Sequence, residues 1–491
     1  MAEEFKNFID GKWVPAASGG TFPSLNPANK AEVLGVFPRS DHRDVDRAAE
    51  SARGHFDRWR LLPAPRRAEA VQRAAELLKA REEDLARLVT REMGKVLREA
   101  RAEVHASVDL LTHIAGEGRR LFGSTDPSEA PDRLAVHLRV PVGVVAAITP
   151  WHAPLAIPAA RLACALVAGN TVVLKPAQDT PLVATRLVEL LLEAGLLPGA
   201  VNLVHGAGEE AGAPLVRHPD VALVAFTGSS ATGREVAIAC AAEQKRVALA
   251  VGGKHALIVM DDADLAAALD AAVEAGFGTS GQGGSAIGRL ILHRAIAREF
   301  ADRLRARAGA LRLGDGLLPA TDMGPLVNEA RLKRAHGYAR LGVKEGARLL
   351  CGGEPFREGE CKRGFFFLPT VFGEVRPAMR IAQEEVLGPA VCLLTVRDLP
   401  EAVGVVHGMR PMGMLSLFSG DLRRALLAAR DLRAGRLAIN AAPREDCGWP
   451  GAPRPAGGGG WGGEAAGVDA FTEWKSVSVD MSGMGAEPPG E

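Results

Sequence analysis

The sequence predicts an α/β protein built around a doubly wound parallel sheet, and three observations predict it. Between residues 142 and 251, short apolar runs alternate with helix-length segments. That is the pattern of strands buried on both faces and joined by crossover helices. Four successive runs end in glycines, hydroxyls or a cation, where a doubly wound sheet binds its ligand. The length of 491 residues exceeds one ordinary domain and leaves room for a second α/β unit.

Residues 43–120 place Ala, Leu and Val at helical spacing with Arg and Glu between them, most clearly over 66–81 and 82–94. The apolar run 142–148 predicts a buried strand. It is followed by a helix over 154–168, a strand at 171–174, a helix over 182–194 and a strand at 201–204. A helix over 209–217, a strand at 221–226, a helix over 232–242 and a strand at 246–251 complete the first unit. A second α/β unit runs from about 256 to 440. Its helices are expected at 263–275, 295–310 and 422–432, and its strands at 289–292, 391–396 and 436–440. Residues 133–139 and 471–479 alternate polar and apolar outside both units. They read as detached strands that pair across a subunit boundary. The resulting division is a dinucleotide-binding domain over 1–123 and 141–252, a catalytic domain over 253–445, and oligomerisation strands at 124–140 and 468–480. Residues 457–460 sit in a Gly/Pro-rich loop, and 481–491 read as a disordered tail.

Basic and acidic residues balance at 59 each, so no global field favours nucleic acid or an acidic membrane. The longest apolar stretch, 154–169, is broken by Arg161 and is too short to span a bilayer. The N-terminus has no apolar segment behind a basic start, so no secretory signal is expected. The six cysteines (Cys164, Cys240, Cys351, Cys361, Cys392 and Cys447) are scattered without metal-ligand spacing. Buried thiols in a reducing cytoplasm are the expectation, with no metal.

At the strand ends, Thr149-Pro150-Trp151 follows the first run and Lys175-Pro176 the second. Gly206-Ala207-Gly208-Glu209-Glu210-Ala211-Gly212 follows the third. Phe226-Thr227-Gly228-Ser229-Ser230-Ala231-Thr232-Gly233 follows the fourth, where hydroxyls and glycine open a helix able to receive a phosphate. Each alone is explained by turn glycines or a helix cap. Four in register point to a nucleotide.

These motifs, with Lys175-Pro176-Ala177, Gly252-Gly253-Lys254, Gly281-Gln282 and Glu384-Glu385-Val386-Leu387-Gly388-Pro389, occur in the order and spacing of the aldehyde dehydrogenase superfamily. The resemblance covers about residues 8–479 and implies the aldehyde dehydrogenase fold. Arg139-Val140-Pro141-Val142-Gly143-Val144-Val145, Leu292-His293-Arg294 and Gly462-Gly463-Glu464 are most similar to the benzaldehyde and vanillin dehydrogenase branch. By resemblance, Trp151 lines the cofactor cleft, Lys175 reaches the adenosine ribose, Ser229 holds a phosphate and Glu385 reaches the nicotinamide ribose. Thr149, Gly208, Phe226, Thr227, Gly228, Gly233 and Leu387 belong to the same expected NAD or NADP site. Gln178 stands where the family has a ribose-binding Glu; its amide hydrogen-bonds but does not repel a 2′-phosphate.

The family mechanism needs a Cys thiolate, a Glu general base and oxyanion donors. The matching positions here hold Gly284, Ala250 and His152. Ser285 is adjacent to the nucleophile position, but its side chain should point elsewhere and no base accompanies it. Glu464 resembles a second family carboxylate, and residues 449–453 replace the family's Pro-Phe-Gly-Gly loop. His152 suits an oxyanion donor or a packed histidine equally. Three readings follow: a pseudoenzyme that keeps nucleotide binding, an active oxidoreductase using other groups, and a purely structural subunit. The retained Lys175, Ser229 and Glu385 favour the first. Its expected partners are a nicotinamide dinucleotide, a small aldehyde, and either copies of itself (a homodimer or homotetramer) or an active paralogue.

Overall fold

The computed structural model describes residues 2–408, 412–442 and 467–482. Glu464, Cys447, the altered loop at 449–453 and the glycine run at 457–460 lie outside them, as does the tail from 483 on. Two hairpins open the chain: β1 (Asn7–Ile9) with β2 (Lys12–Val14), and β3 (Thr21–Asn26) with β4 (Asn29–Pro38). Four helices follow, spanning His42–Arg60, Ala64–Ala80, Glu82–Met93 and Leu97–Glu117. After β5 (Ser124–Asp126) and β6 (Arg133–Pro141) come β7 (Val144–Ile148), β8 (Thr171–Lys175), β9 (Val201–Leu203), β10 (Val221–Gly228) and β11 (Arg246–Val251). The second unit carries β12 (Lys254–Val259), β13 (Ile287–His293), β14 (Arg348–Cys351), β15 (Thr370–Gly373), β16 (Ala390–Val396), β17 (Met412–Phe418) and β18 (Leu437–Ile439). β19 (Thr472–Asp480) is the last strand.

The predicted alternation over 142–251 is present. It forms a seven-stranded sheet in the order β11-β10-β7-β8-β9-β1-β2, with β7 to β11 parallel and β1 and β2 added antiparallel. Apolar side chains bury both faces: Val145, Leu174 and Leu223 toward one helical layer, Val144, Val173 and Val224 toward the other. The second sheet runs β14-β15-β16-β13-β12-β17-β18 and is likewise covered on both faces. Both sheets therefore present the carboxyl ends of their parallel strands to bound groups.

One expectation is corrected. Residues 133–139 and 471–479 are not detached. β6 and β19 pair antiparallel within the chain, from Thr472 opposite Pro141 to Asp480 opposite Arg133, and β5 covers the other edge of β6. Each strand satisfies one edge of the other, and the outer edge of β19 has no neighbouring strand among the described residues. The register still sorts the sheet into two faces. Leu134, Val136, Leu138, Val477 and Val479 share one. His137, Arg139, Trp474 and Ser476 share the other, with Arg139 stacked 4.1 Å from the Trp474 ring centroid.

Helix Ser230–Ala242 lies flush on β11 because Gly233 has no side chain. A Cβ there would stand 2.3 Å from Cγ1 of Val251. Gly233→Ala should therefore lower stability by about 1–3 kcal/mol, the usual cost of overpacking. Val251→Ala in the same chain should recover much of the loss. Urea midpoints of the two single variants and the double variant test this; strictly additive losses would show that the two side chains do not compete.

Candidate active site

The cofactor side of the site is assembled from successive strand ends. Thr149 leaves β7 with its N–H donated to the carbonyl of Lys175, 3.2 Å away, while its buried hydroxyl has no partner. Trp151 packs on Met93 and Val327. Lys175 closes β8, and its Nζ donates to the carbonyls of Pro176 at 2.7 Å and Gly206 at 3.0 Å. Burial pulls this ammonium down to about 8. Gln178 is exposed, beside an Asp179 whose carboxylate accepts from the Asn328 amide. Gly208 opens a single π-helical turn, Gly208–Gly212. At the end of β10 the Phe226 ring fills the space under Gly228, where a Cβ would come within 2.6 Å of it. The Ser229 hydroxyl caps helix Ser230–Ala242 by accepting the Thr232 N–H.

Glu385 arrives from the second unit. Its carboxylate lies against Gly252, where a Cβ would stand 2.5 Å from both oxygens, and burial raises it above the usual carboxylate range. Leu387, two residues on, holds a left-handed φ of 54°. An orphaned buried hydroxyl, a cation, a serine-capped helix N-terminus, an indole face and a carboxylate seated over a glycine suit the phosphates and hydroxyls of a dinucleotide.

On the catalytic side, the turn that should carry the nucleophile is fully formed. Thr279, Ser280 and Gly281 run left-handed, with φ of 51°, 57° and 66°. Two non-glycine residues in this conformation, Thr279 and Ser280, store strain unless their surroundings hold them. Five hydrogen bonds do so. Glu99 accepts the Thr279 N–H at 2.9 Å, and the Ser280 hydroxyl donates to the Gly324 carbonyl at 2.7 Å. The Gln282 amide donates to Pro325 and accepts from Val327. His255 donates from Nε2 to the carbonyl of Gly284 at 2.5 Å and accepts the Met414 N–H at Nδ1, which fixes it as a neutral ring. Burial pulls its pKa to about 4. Gly284 thus sits on a clamped turn with no side chain to present. A small cavity between Gly253, Lys254, Gly283, Glu385 and Leu387 brings the three motifs together.

Ala250 lies on β11 opposite Thr227, whose hydroxyl accepts from Arg161 at 3.1 Å. The position expected for the general base therefore has a guanidinium nearby and no carboxylate of its own. His152 follows Trp151, and the two rings meet edge to face at 5.9 Å. Burial, with the Lys95 and Arg331 charges added, pulls the His152 imidazole down to about 3, so it is neutral at physiological pH. Its backbone is held by Lys95, whose Nζ donates to the His152 carbonyl at 2.8 Å and pairs with Glu103 at 2.6 Å. Glu103 in turn accepts the N–H groups of Leu155 and Ala156 at the start of helix Ala156–Ala168. Sequence reasoning missed Lys95, Glu99, Glu103 and His255. Arg161 did leave a signal, as the one charge inside an apolar helical stretch.

The fold and the site define an α/β protein of dinucleotide-dependent dehydrogenase architecture. The aldehyde dehydrogenase family model matches residues 13–477, and the chain belongs to that family. It is similar to the alpha-ketoglutaric semialdehyde dehydrogenase of Bacillus subtilis, 37% identical over 89% of this chain and 90% of the relative. The phenylacetaldehyde dehydrogenase of Pseudomonas fluorescens is 40% identical over 88% and 87%. Among solved structures, a putative aldehyde dehydrogenase from Burkholderia cenocepacia superimposes with a TM-score of 0.93 at 36% identity, covering 100% of this chain and 99% of that one. The betaine aldehyde dehydrogenase of Staphylococcus aureus, solved in complex with NAD+, gives 0.93 at 32% identity over 97% and 95%.

The buried Lys95–Glu103 pair anchors the turn that carries His152. Glu103→Gln should cost about 3–5 kcal/mol by leaving a buried ammonium without its counter-charge. Adding Lys95→Met should return part of that stability. Thermal unfolding of both variants checks the assignment, and an unchanged melting temperature for Glu103→Gln would contradict it.

Proposed function

We propose that this chain is a catalytically impaired aldehyde dehydrogenase, a pseudoenzyme that retains a nicotinamide dinucleotide site and oxidises aldehydes at no more than a trace rate. The observation that carries this reading is Gly284. It occupies the clamped turn of the nucleophile without any atom able to attack a carbonyl. Among the described residues the cysteines sit on other elements: Cys164 and Cys240 in helices of the first unit, Cys351, Cys361 and Cys392 in the second. Burial raises the thiols of Cys240, Cys351, Cys361 and Cys392, which disfavours the reactive thiolate. Ala250 supplies no base. A neutral His152 offers at most a single N–H, and a donor without a nucleophile has no developing charge to stabilise.

The bound partners in this reading are NAD or NADP and a small aldehyde, for which the likeness to the benzaldehyde and vanillin branch favours an aromatic one. The nicotinamide ring would supply hydride acceptance. Thr149, Trp151, Lys175, Ser229 and Glu385 bind and orient it. Residence in the cytoplasm accords with the sequence, and no helix among the described residues is long and apolar enough to cross a membrane.

Saturating NAD or NADP should raise the melting temperature, while steady-state NAD(P)H production with aldehydes stays at background. Gly284→Cys should give a burst of reduced cofactor followed by a stall at the acyl-enzyme. Adding Ala250→Glu should convert the burst into turnover, as the carboxylate restores a general base. Wild-type turnover of about 1 s⁻¹ or more, an ordinary enzymatic rate, would sink the proposal.

Discrimination between the cofactors should be weak, because Gln178 carries no charge against a 2′-phosphate. Gln178→Glu should shift preference toward NAD. Calorimetry that finds wild type already strongly selective for NAD would place the excluding group elsewhere.

Assembly completes the reading. Leu134, Leu138 and Val479 are 42%, 43% and 37% exposed on the apolar face of the β5-β6-β19 sheet. A contiguous apolar face of this kind marks an interface. We assign it to a homodimer or homotetramer, with an active relative as the alternative partner. Light scattering should report a multiple of 51.6 kDa, and Leu134→Asp with Leu138→Asp should dissociate it. A wild-type monomer at micromolar concentration would contradict the assignment.

A further inference from the structure

Lys254, the first residue of β12, is a buried amine that the site described above does not use. It is 3% exposed, and among the described residues its Nζ makes no hydrogen bond. Its side chain runs over Gly288 on β13, where a Cβ would stand 2.4 Å from Cε and 2.7 Å from Nζ. A bare glycine is what leaves room for the amine. Lys254 lines the small cavity that it shares with Gly253, Gly283 and Glu385. The space, about 20 Å³, admits a group the size of a water or a formyl end.

A second cation lies beside it. Arg289 is fully buried and donates through Nη2 to the Lys254 carbonyl, while its Nε and Nη1 have no partner. Burial pulls this guanidinium down to about 10, so it stays charged at neutral pH. Burial also pushes the Lys254 ammonium down; the Arg289 charge adds to that, and Cys392, Glu385 and Glu384 oppose it. Cys392, opposite Arg289 on β16, is no rival nucleophile. Its thiol donates to the Ile381 carbonyl at 3.3 Å, and burial raises it. A lysine desolvated next to another cation is poised to attack carbonyl carbon as the free amine.

We propose that Lys254 captures a short aliphatic aldehyde as an imine in the cavity it shares with Gly283 and Glu385. The inference rests on the reading of this chain as an aldehyde binder, and not on its cofactor site. The amine forms an N–C bond to the carbonyl carbon, and the carbonyl π pair goes to oxygen. Glu385, whose carboxyl burial holds above its usual range, gives that oxygen a proton and takes one from nitrogen. A second exchange of the same kind breaks the C–O bond, releases water and leaves C=N. Nothing is oxidised or reduced. An imine carbon accepts hydride rather than giving it, so the aldehyde is held without being oxidised.

The test is reductive trapping on the full-length protein without cofactor. Acetaldehyde and sodium cyanoborohydride are added, and peptide mass spectrometry follows ethylation at each lysine. In the folded chain Lys254 should react about tenfold faster than the exposed Lys344. In urea that advantage should vanish. Glu385→Gln should slow ethylation of Lys254 by about tenfold or more and leave Lys344 unchanged. A folded wild type whose Lys254 reacts no faster than Lys344 overturns the capture, while the proposed function, carried by Gly284, stands. Aldehyde-dependent NAD(P)H turnover by wild type overturns that function and leaves a preferentially ethylated Lys254 as evidence of capture. A Glu385→Gln chain that reacts like wild type overturns the proton transfer assigned to Glu385. If that variant fails to fold, the wild-type comparison of Lys254 with Lys344 decides alone.

Discussion

The close approach of backbone to backbone at a few glycines governs this site. Gly281 passes the Gly388 carbonyl so closely that a Cβ would come to 2.3 Å from its oxygen. At Gly252 the same space is taken by the Glu385 carboxylate. These two contacts let three loops, drawn from different strands, meet around one small cavity. The left-handed run before Gly281 follows from them, since the chain must turn sharply to pass Gly388. Glu99, Gly324, Gln282 and His255 then hold a conformation that the local sequence would not keep alone.

Gly284 and Ala250, which the proposed function sets at the positions of nucleophile and base, fit this arrangement for a physical reason. Gly284 and Ala250 are smaller than a nucleophile or a carboxylate and bring no unsatisfied group into the site. A catalytic side chain is held for chemistry, often at a cost in stability, so its removal tends to relax the fold. The clamps are different. Glu103, Lys95 and Gln282 are buried and bonded to the backbone, and losing one leaves a buried partner unmet. On the reading proposed above, the groups kept are those whose loss would harm folding, and the groups absent are those whose loss would harm only turnover.

The strand–helix alternation over 142–251 was legible because β7 to β11 are short and apolar, and periodicity reports burial directly. The residues at the strand ends were legible through their types and order. Other parts were silent. β12 follows Gly252-Gly253-Lys254 but is buried throughout and shows no alternation, and β14 and β15 are four residues each, too short for a period to show. The hairpin β3–β4 contains Pro23 and Gly35, which read as breakers. Lys95, Glu99 and His255 act through partners far away in the sequence, and no local pattern encodes a partner. The pairing of β6 with β19 was misread for the same reason: alternation announces a strand but does not name its neighbour.

That pairing has a consequence for how the protein is made. His137 on β6 meets Ser476 on β19, 339 positions later. At a synthesis rate of about 5–20 residues per second, one edge of β6 emerges from the ribosome and waits roughly 17–70 s for its neighbour. During that interval Leu134 and Leu138 are displayed beside an open row of backbone donors and acceptors, a template for any passing strand. Any chain that stops short of β19 is released with that edge open for good. Ribosomal pausing or premature termination late in the message would thus yield a molecule with both large sheets built and a permanently adhesive rim.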